Sequence, residues 1–359
     1  MTDNSTKLLD DEVPTLMPRP EAPTVTTPNV LAPKGAMPIA GLALDAIATM
    51  RRRAEGVEQA IPTPWREVND ALQGGLWPAM YTLTSGTGSG KSQWALQVAL
   101  HAAQCEQRKP KDEQRPVVYV ALELGALDLV ARLAGLLSGK RWSDLFYGNG
   151  GDALDNLDEA QAALNRANLD DLPLMVEVAP PMGWSADRLL ALAEELKPRM
   201  IVLDYLQLIS ASKDDARADL RQVIGKVAYV ARAIAREYGT TMLLLSSTAR
   251  HNYGAAKGEE EQPGNGDPSR FVGIGKESGE IEFAADVALV LVREKWKEDQ
   301  TAKTWLAVAK QRGGRNGWVA LNFDGAKFTE ADVPPATKSS QPQTARDGAN
   351  ANGLGSFIG

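Results

Sequence analysis

The sequence predicts an α/β fold, a mostly parallel twisted sheet with helices on both faces. Three observations predict it. Short apolar runs recur along the chain, at Met80 to Leu83, Val117 to Leu122, Leu174 to Val178, Met200 to Leu203 and Thr241 to Leu245. Helix-length segments separate them. The first run leads straight into Ser85-Gly86-Thr87-Gly88-Ser89-Gly90-Lys91-Ser92, a glycine-rich turn ahead of a helix that starts near Lys91. Continuous apolar strands alternating with helices belong to a sheet buried on both faces. In such sheets ligands sit at the carboxyl ends of the strands.

Both ends of the chain lie outside this pattern. Residues 1–40 carry Pro14, Pro18, Pro20, Pro23, Pro28, Pro33 and Pro38 among Thr, Ala and acidic residues. Such a segment buries too little apolar surface to offset its ordering entropy. Residues 331–359 read the same way, so both are expected to be disordered tails. Between the first tail and the glycine-rich turn, Leu44, Ile47, Met50, Ala54 and Val57 recur at helical spacing. Residues 41–61 are therefore a candidate linker helix with one apolar stripe. That stripe needs cover from its own domain or a neighbouring subunit, and the sequence slightly favours the former. Residues 62–330 are expected to form the folded domain.

Within that domain the elements follow in order. The helix after the turn runs through Gln104, and Val117 to Leu122 then gives a strand ending at Glu123. A helix spans Ala126 to Leu137, followed by irregular, partly helical chain to Asp171. The strand Leu174–Val178, the helix Ser185–Leu196 and the strand Met200–Asp204 come next. A long helix from Ala216 to Glu237 leads to the strand from Thr241 to Ser246. Further strands are expected at Val287–Val292, Trp305–Lys310 and Trp318–Phe323. This order gathers Lys91, Glu123, Asp204 and Ser247 at one edge of the sheet.

Composition narrows the function. The formal net charge of −7 gives no global nucleic-acid footprint, so any such contact needs a local patch. Cys105 is the single cysteine, and His101 and His251 are the only histidines, which argues against a disulfide scaffold or structural metal centre and fits a reducing cytoplasm. No apolar run approaches the roughly 18 residues of a membrane span, and the N-terminus shows no signal-peptide pattern.

The glycine-rich turn is a phosphate cradle by its chemistry. Gly86, Thr87, Gly88, Ser89 and Gly90 let backbone N–H groups point inward, and the helix N-terminus adds partial positive charge. Lys91 suits the β- and γ-phosphates of ATP and the Ser92 hydroxyl suits Mg²⁺. Ser85 stands where a glycine is usual, and its small side chain lets the turn survive. Phosphoryl transfer to water needs a metal and a group that positions the water. Asp204, ending an apolar strand, suits the metal shell, and Glu123, ending another, suits the water. The bland alternatives are a surface loop for the turn, a cap for Asp204 and a surface charge for Glu123.

Other segments carry a resemblance. Met200-Ile201-Val202-Leu203-Asp204-Tyr205-Leu206-Gln207-Leu208-Ile209 resembles the second nucleotide motif of DnaB-type replicative helicases, and Ala121-Leu122-Glu123-Leu124 resembles the segment holding their catalytic glutamate. Lys276-Glu277-Ser278-Gly279-Glu280-Ile281-Glu282 resembles their segment that grips single-stranded DNA phosphates, and Arg250 follows the strand end Ser246-Ser247-Thr248 at the distance the resemblance implies. Lys310-Gln311-Arg312 resembles the element that lends an arginine finger to the neighbouring subunit. The likeness runs in order from Trp65 to Phe328.

It implies a RecA-like P-loop ATPase core in a hexameric ring that uses ATP and Mg²⁺ to translocate on single-stranded DNA. Glu123, Lys91, Arg312 and Lys310 would act in catalysis, and Arg250, Lys276, Glu277 and Gly279 on DNA. A primase or loader is a possible partner. Two departures stand out. Ser246-Ser247-Thr248 replaces the family's Ser-Gln-Leu, so a hydroxyl stands for the glutamine that senses the γ-phosphate. The folded N-terminal domain of the family has no counterpart here, and in the family a linker helix before the ATPase domain docks on the adjacent subunit. Two other readings share the core: a RecA- or RadA-like recombination ATPase, and an ATP-gated loading factor without helicase activity.

Overall fold

Val117–Ala121 (β2) shows how the sheet is layered. Side chains alternate across a strand, so Val117, Tyr119 and Ala121 join one core while Val118 and Val120 join another. The first core takes its helical cover from Lys91–Gln107 (α3) and Ala126–Ser138 (α4). The second is covered by Ala186–Leu196 (α7) and Leu220–Glu237 (α8). The computed structural model describes residues 39–178, 184–211, 219–248, 264–275, 279–295 and 301–331.

The chain divides after Glu58 into two units. In the first, Ile39–Ala54 (α1) is a helix ending in Arg51, Arg52 and Arg53, cations suited to a helix C-terminus. Arg53 pairs with Glu58 at 2.8 Å. No residue of α1 is buried among the described residues; Leu44 is 75 %, Ile47 56 % and Met50 61 % exposed.

The second unit begins with Arg66–Ala71 (α2) and Met80–Ser85 (β1), then α3, β2 and α4. Trp142–Tyr147 (α5) and Ala153–Arg166 (α6) account for the partly helical stretch before Leu174–Val178 (β3). After α7 come Met200–Asp204 (β4), α8 and Thr241–Ser247 (β5). Gly279–Ala284 (α9), Val287–Arg293 (β6), Ala302–Gln311 (β7), Gly317–Phe323 (β8) and Phe328–Glu330 (β9) complete it. One sheet holds all nine strands of the described residues, in the order β3-β2-β4-β5-β1-β6-β7-β8-β9. From β3 to β6 neighbours are parallel, and from β6 to β9 antiparallel.

Local chemistry explains where elements stop and join. α8 begins at Leu220 because Asp219 accepts from the Gln222 N–H while the Gln222 side chain accepts from the Asp219 N–H, a reciprocal cap. Arg115 serves two helix ends at once, donating to carbonyls of Lys197 and Pro198 beyond α7 and of Tyr238 and Gly239 beyond α8. Carbonyls at a helix terminus lack an intrahelical partner. The short edge strand β9 is fastened to α3 by Gln97, whose amide brackets the Phe328 residue at 2.9 Å on both sides. The Trp65 indole donates to the same Phe328 carbonyl and stacks on Trp94 at 5.3 Å.

Candidate functional site

β1 ends on Ser85, which is fully buried and paired in register with Ser247 of β5. The serine fits where glycine is usual because its hydroxyl folds back onto the Gly86 carbonyl at 3.2 Å. Gly88 and Gly90 take φ of 75° and 94°, conformations that side-chain-bearing residues rarely adopt. A Cβ at Gly90 would also lie 2.8 Å from the Phe328 ring. α3 starts at Lys91, as its sequence predicts, so the turn opens onto the N-terminus of a 17-residue helix. Burial lowers the Lys91 pKa, while Asp204 and then Glu123 pull it back up.

The two carboxylates meet through the sheet register. Ala121 pairs with Asp204 across β2 and β4. The Leu122 and Glu123 N–H groups both donate to the Asp204 carbonyl, at 2.6 and 3.4 Å. Asp204 is fully buried, and its Oδ2 accepts the Tyr119 hydroxyl at 2.7 Å. Its Oδ1 has no hydrogen-bond partner among the described residues. Burial raises the Asp204 pKa against the pull of Tyr119, Ser92, Lys91 and Arg132. Glu123 opens to solvent, and partial desolvation followed by the Asp204 charge raises its pKa too.

A buried carboxylate oxygen without a donor, beside a serine hydroxyl at a helix N-terminus, is the donor set that Mg²⁺ takes with phosphates. Oxygen ligands and few protein groups suit that ion, and among the described residues no cluster of three His, Cys, Asp or Glu side chains forms a separate metal site.

Sequence reasoning missed three members of this site. Tyr119 lies two residues before the end of β2, on the Asp204 side. Arg132, the lone cation in an otherwise apolar stretch of α4, stacks over Trp142 at 3.9 Å and bears electrostatically on Tyr119, Asp204 and Glu123. Arg293 ends β6 and donates to the Gly88 carbonyl of the turn. The legible signal in the last two cases is a single cation closing or interrupting an apolar run.

Ser247, which the resemblance sets in the place of a glutamine, stands at the end of β5. A glutamine amide is still present at this strand end: Gln207, in the 3-10 turn Leu206–Leu208 after β4, donates to the Ser246 hydroxyl at 2.8 Å.

Lys310 and Arg312 occupy the opposite end of the sheet. Arg312 bonds through its N–H to the Asp286 carbonyl at 3.0 Å, and its guanidinium stands 3.7 Å from the Asp286 carboxylate. That carboxylate also accepts the Met80 N–H, at the start of β1. The cradle begins at the other end of the strand, roughly 17 Å away at the usual rise per residue. Lys310 donates to the carbonyls of Glu282 and Phe283 in α9. Gly279 begins α9, whereas Arg250, Lys276 and Glu277 lie outside the described residues.

The geometry can be set against known proteins. Residues 60–330 match the family described as DnaB-like helicase C terminal domain. The chain belongs to that family. A replicative DNA helicase DnaB of Leifsonia xyli subsp. xyli is 29% identical over 303 residues, covering 82% of this chain and 60% of the relative. The replicative DNA helicase DnaC of Bacillus subtilis is 25% identical over 291 residues, covering 77% and 59%. The chain thus spans about 60% of the length of these relatives. Among solved structures, an isolated ATPase domain superposes with a TM-score of 0.63 at 20% identity, covering 80% of this chain and 98% of that one. A DnaB-like replicative helicase, solved with its interactions with primase, superposes at 0.62 with 18% identity, covering 84% and 68%. The fold is therefore that of a DnaB-like ATPase domain, with the antiparallel β7–β9 as part of it. Among the described residues no helix is long and apolar enough to cross a membrane.

Proposed function

We propose that this DnaB-like chain hydrolyses ATP in a hexameric ring that moves along single-stranded DNA and separates duplex strands during replication, in the cytoplasm, with a primase or loader as further partner. The observation that carries the reading is the separation of two halves of one chemistry along β1. Lys91, Ser92, Asp204 and Glu123 converge at its carboxyl end, while Arg312 and Lys310 stand at its amino end. A cation pair that far from its own cradle serves the cradle of a neighbour.

In this reading, backbone N–H groups from Ser85 to Gly90 and the N-terminus of α3 hold the β- and γ-phosphates, with the Lys91 ammonium among them. Ser92 and Asp204 would hold Mg²⁺, which supplies charge neutralisation on the phosphoryl oxygens. Tyr119 fixes the Asp204 carboxylate. Glu123, open to solvent beside Asp204, orients the attacking water and takes its proton. Arg250, Lys276, Glu277 and Gly279 are proposed to meet the DNA backbone, a contact independent of base sequence.

The test is hydrolysis with and without single-stranded DNA across a salt series. Stimulation is expected to fade with a log–log slope of roughly −0.7 per phosphate contact. Strand separation on a forked duplex, with rings rather than filaments in electron micrographs, distinguishes the motor from a recombination ATPase. An unstimulated rate without unwinding moves the assignment to the loading-factor reading, which Ser247 favours.

The exposed stripe of α1 supports a docking role on the adjacent subunit. Deleting residues 1–60 is expected to convert the hexamer to smaller species in light scattering. A hexamer otherwise unchanged in subunit number would remove α1 from the assembly.

A further inference from the structure

Three carboxylates are buried among the described residues: Glu106, Asp204 and Glu282. Asp204 belongs to the nucleotide site. Glu106 faces cations, Lys109 at 2.6 Å and Arg199 at 3.6 Å. Glu282, only 1 % exposed, has no ion pair among the described residues. Burying a carboxylate costs several kcal/mol unless hydrogen bonds replace its water, and charge-assisted bonds are about twice as strong as neutral ones. Here the replacements are all neutral donors, and they come from separate parts of the fold.

The hydroxyl of Thr84, the residue just before Ser85 and the cradle, donates to Oε1 at 2.7 Å. The Gly275 N–H donates to the same oxygen at 3.1 Å, and the Gly273 N–H to Oε2. The Ile274 N–H lies within the same clasp. Gly275 in turn bridges to Thr248, just past the end of β5. On the backbone side, the Glu282 carbonyl accepts Lys310. One residue therefore touches the strand of the cradle, the chain that leads into Lys276-Glu277-Ser278, and the cation assigned to the neighbour's phosphates.

We propose that Glu282 is a positioning residue that couples the cradle to DNA: it ties β1, through Thr84, to the 273–275 loop and thereby to the segment that follows it. The inference rests on the motor reading above. Its geometry is specific to a carboxylate. A glutamine in its place offers one acceptor oxygen and two donor hydrogens, which would face peptide N–H groups.

Coupling is read as the ratio of dissociation constants for a fluorescein-labelled oligo(dT), with and without a non-hydrolysable ATP analogue, by anisotropy. The wild-type ratio is expected to be at least about fivefold. In Thr84→Val it collapses to one while hydrolysis without DNA stays at the wild-type rate, and in Glu282→Gln the ratio collapses likewise. Thr84→Ser, which restores the hydroxyl, restores the ratio. Thr84→Val leaves Glu282 and its three peptide donors in place, so it carries the test even if Glu282→Gln fails to fold. Wild-type ratios in both Val and Gln variants overturn the role of Glu282 and leave the motor reading standing. A ratio of one in the wild-type protein, with no unwinding of a forked duplex, overturns both.

Discussion

Lys91→Ala is expected to lower the turnover number for ATP by about 10²–10³, the loss seen when one fixed donor to developing charge is removed. The reason is that phosphoryl transfer offers the protein little covalent chemistry, so positioning and charge carry most of the rate. Lys91 stands at the first residue of α3, where the left-handed backbone of Gly90 turns the chain into the helix. Like Arg132, it is a cation that Asp204 and Glu123 both sense. Removing it leaves two carboxylates facing an incoming triphosphate with one positive charge fewer. The fold should be untouched, since α3 is anchored by Trp94, Leu96, Val98 and Ala99 in the core rather than by its first residue. Inorganic phosphate release, with a thermal melt as control for folding, measures the effect. Turnover within tenfold of wild type in a folded variant would sink the assignment of the cradle.

The parallel half of the sheet was legible because its strands read as short continuous apolar runs. Leu174–Val178 and Met200–Asp204 fall on the residues their composition marks. The antiparallel half was less so. β7 extends back to Ala302 because Ala302, Thr304 and Leu306 alternate inward with Lys303 and Trp305, a pattern that a search for continuous runs passes over. β9 and α2 are too short for any periodicity; they exist because Phe328 and Trp65 pack against α3 and each other, contacts 263 residues apart in sequence. In the site, motif residues were legible and their supports were not. Glu123 and Asp204 announce themselves by ending strands, whereas Tyr119 and Arg132 become visible only once β2 lies beside β4 and α4 folds back over Trp142. Asp286 is a further case. Its place before an apolar strand resembles any loop carboxylate, yet it holds Arg312 and the Met80 N–H, with Arg232 at 3.8 Å.

That anchorage of Arg312 gives the second large effect, and its logic is one of addresses. Arg312→Ala is expected to cost roughly 10³–10⁵ in hydrolysis rate, the worth of a supplied arginine finger, or about 4–7 kcal/mol. A low rate alone does not say whose cradle the arginine serves. Mixing does. Lys91→Ala subunits keep the finger and lose the cradle; Arg312→Ala subunits keep the cradle and lose the finger. If Arg312 acts within its own subunit, every subunit in a mixed ring is defective and the mixture stays as inactive as its parts. If it acts across a head-to-tail interface, an Arg312→Ala cradle becomes active whenever a Lys91→Ala neighbour faces it. Random mixing at equal amounts makes about a quarter of the interfaces in a closed ring competent, and hydrolysis returns on mixing. The structure favours the second outcome on distance, because Arg312 is held by Asp286 beside Met80, at the opposite end of β1 from Ser85. Absence of recovery from mixed rings, shown to contain both variants by mass spectrometry, would return Arg312 to a role inside its own subunit.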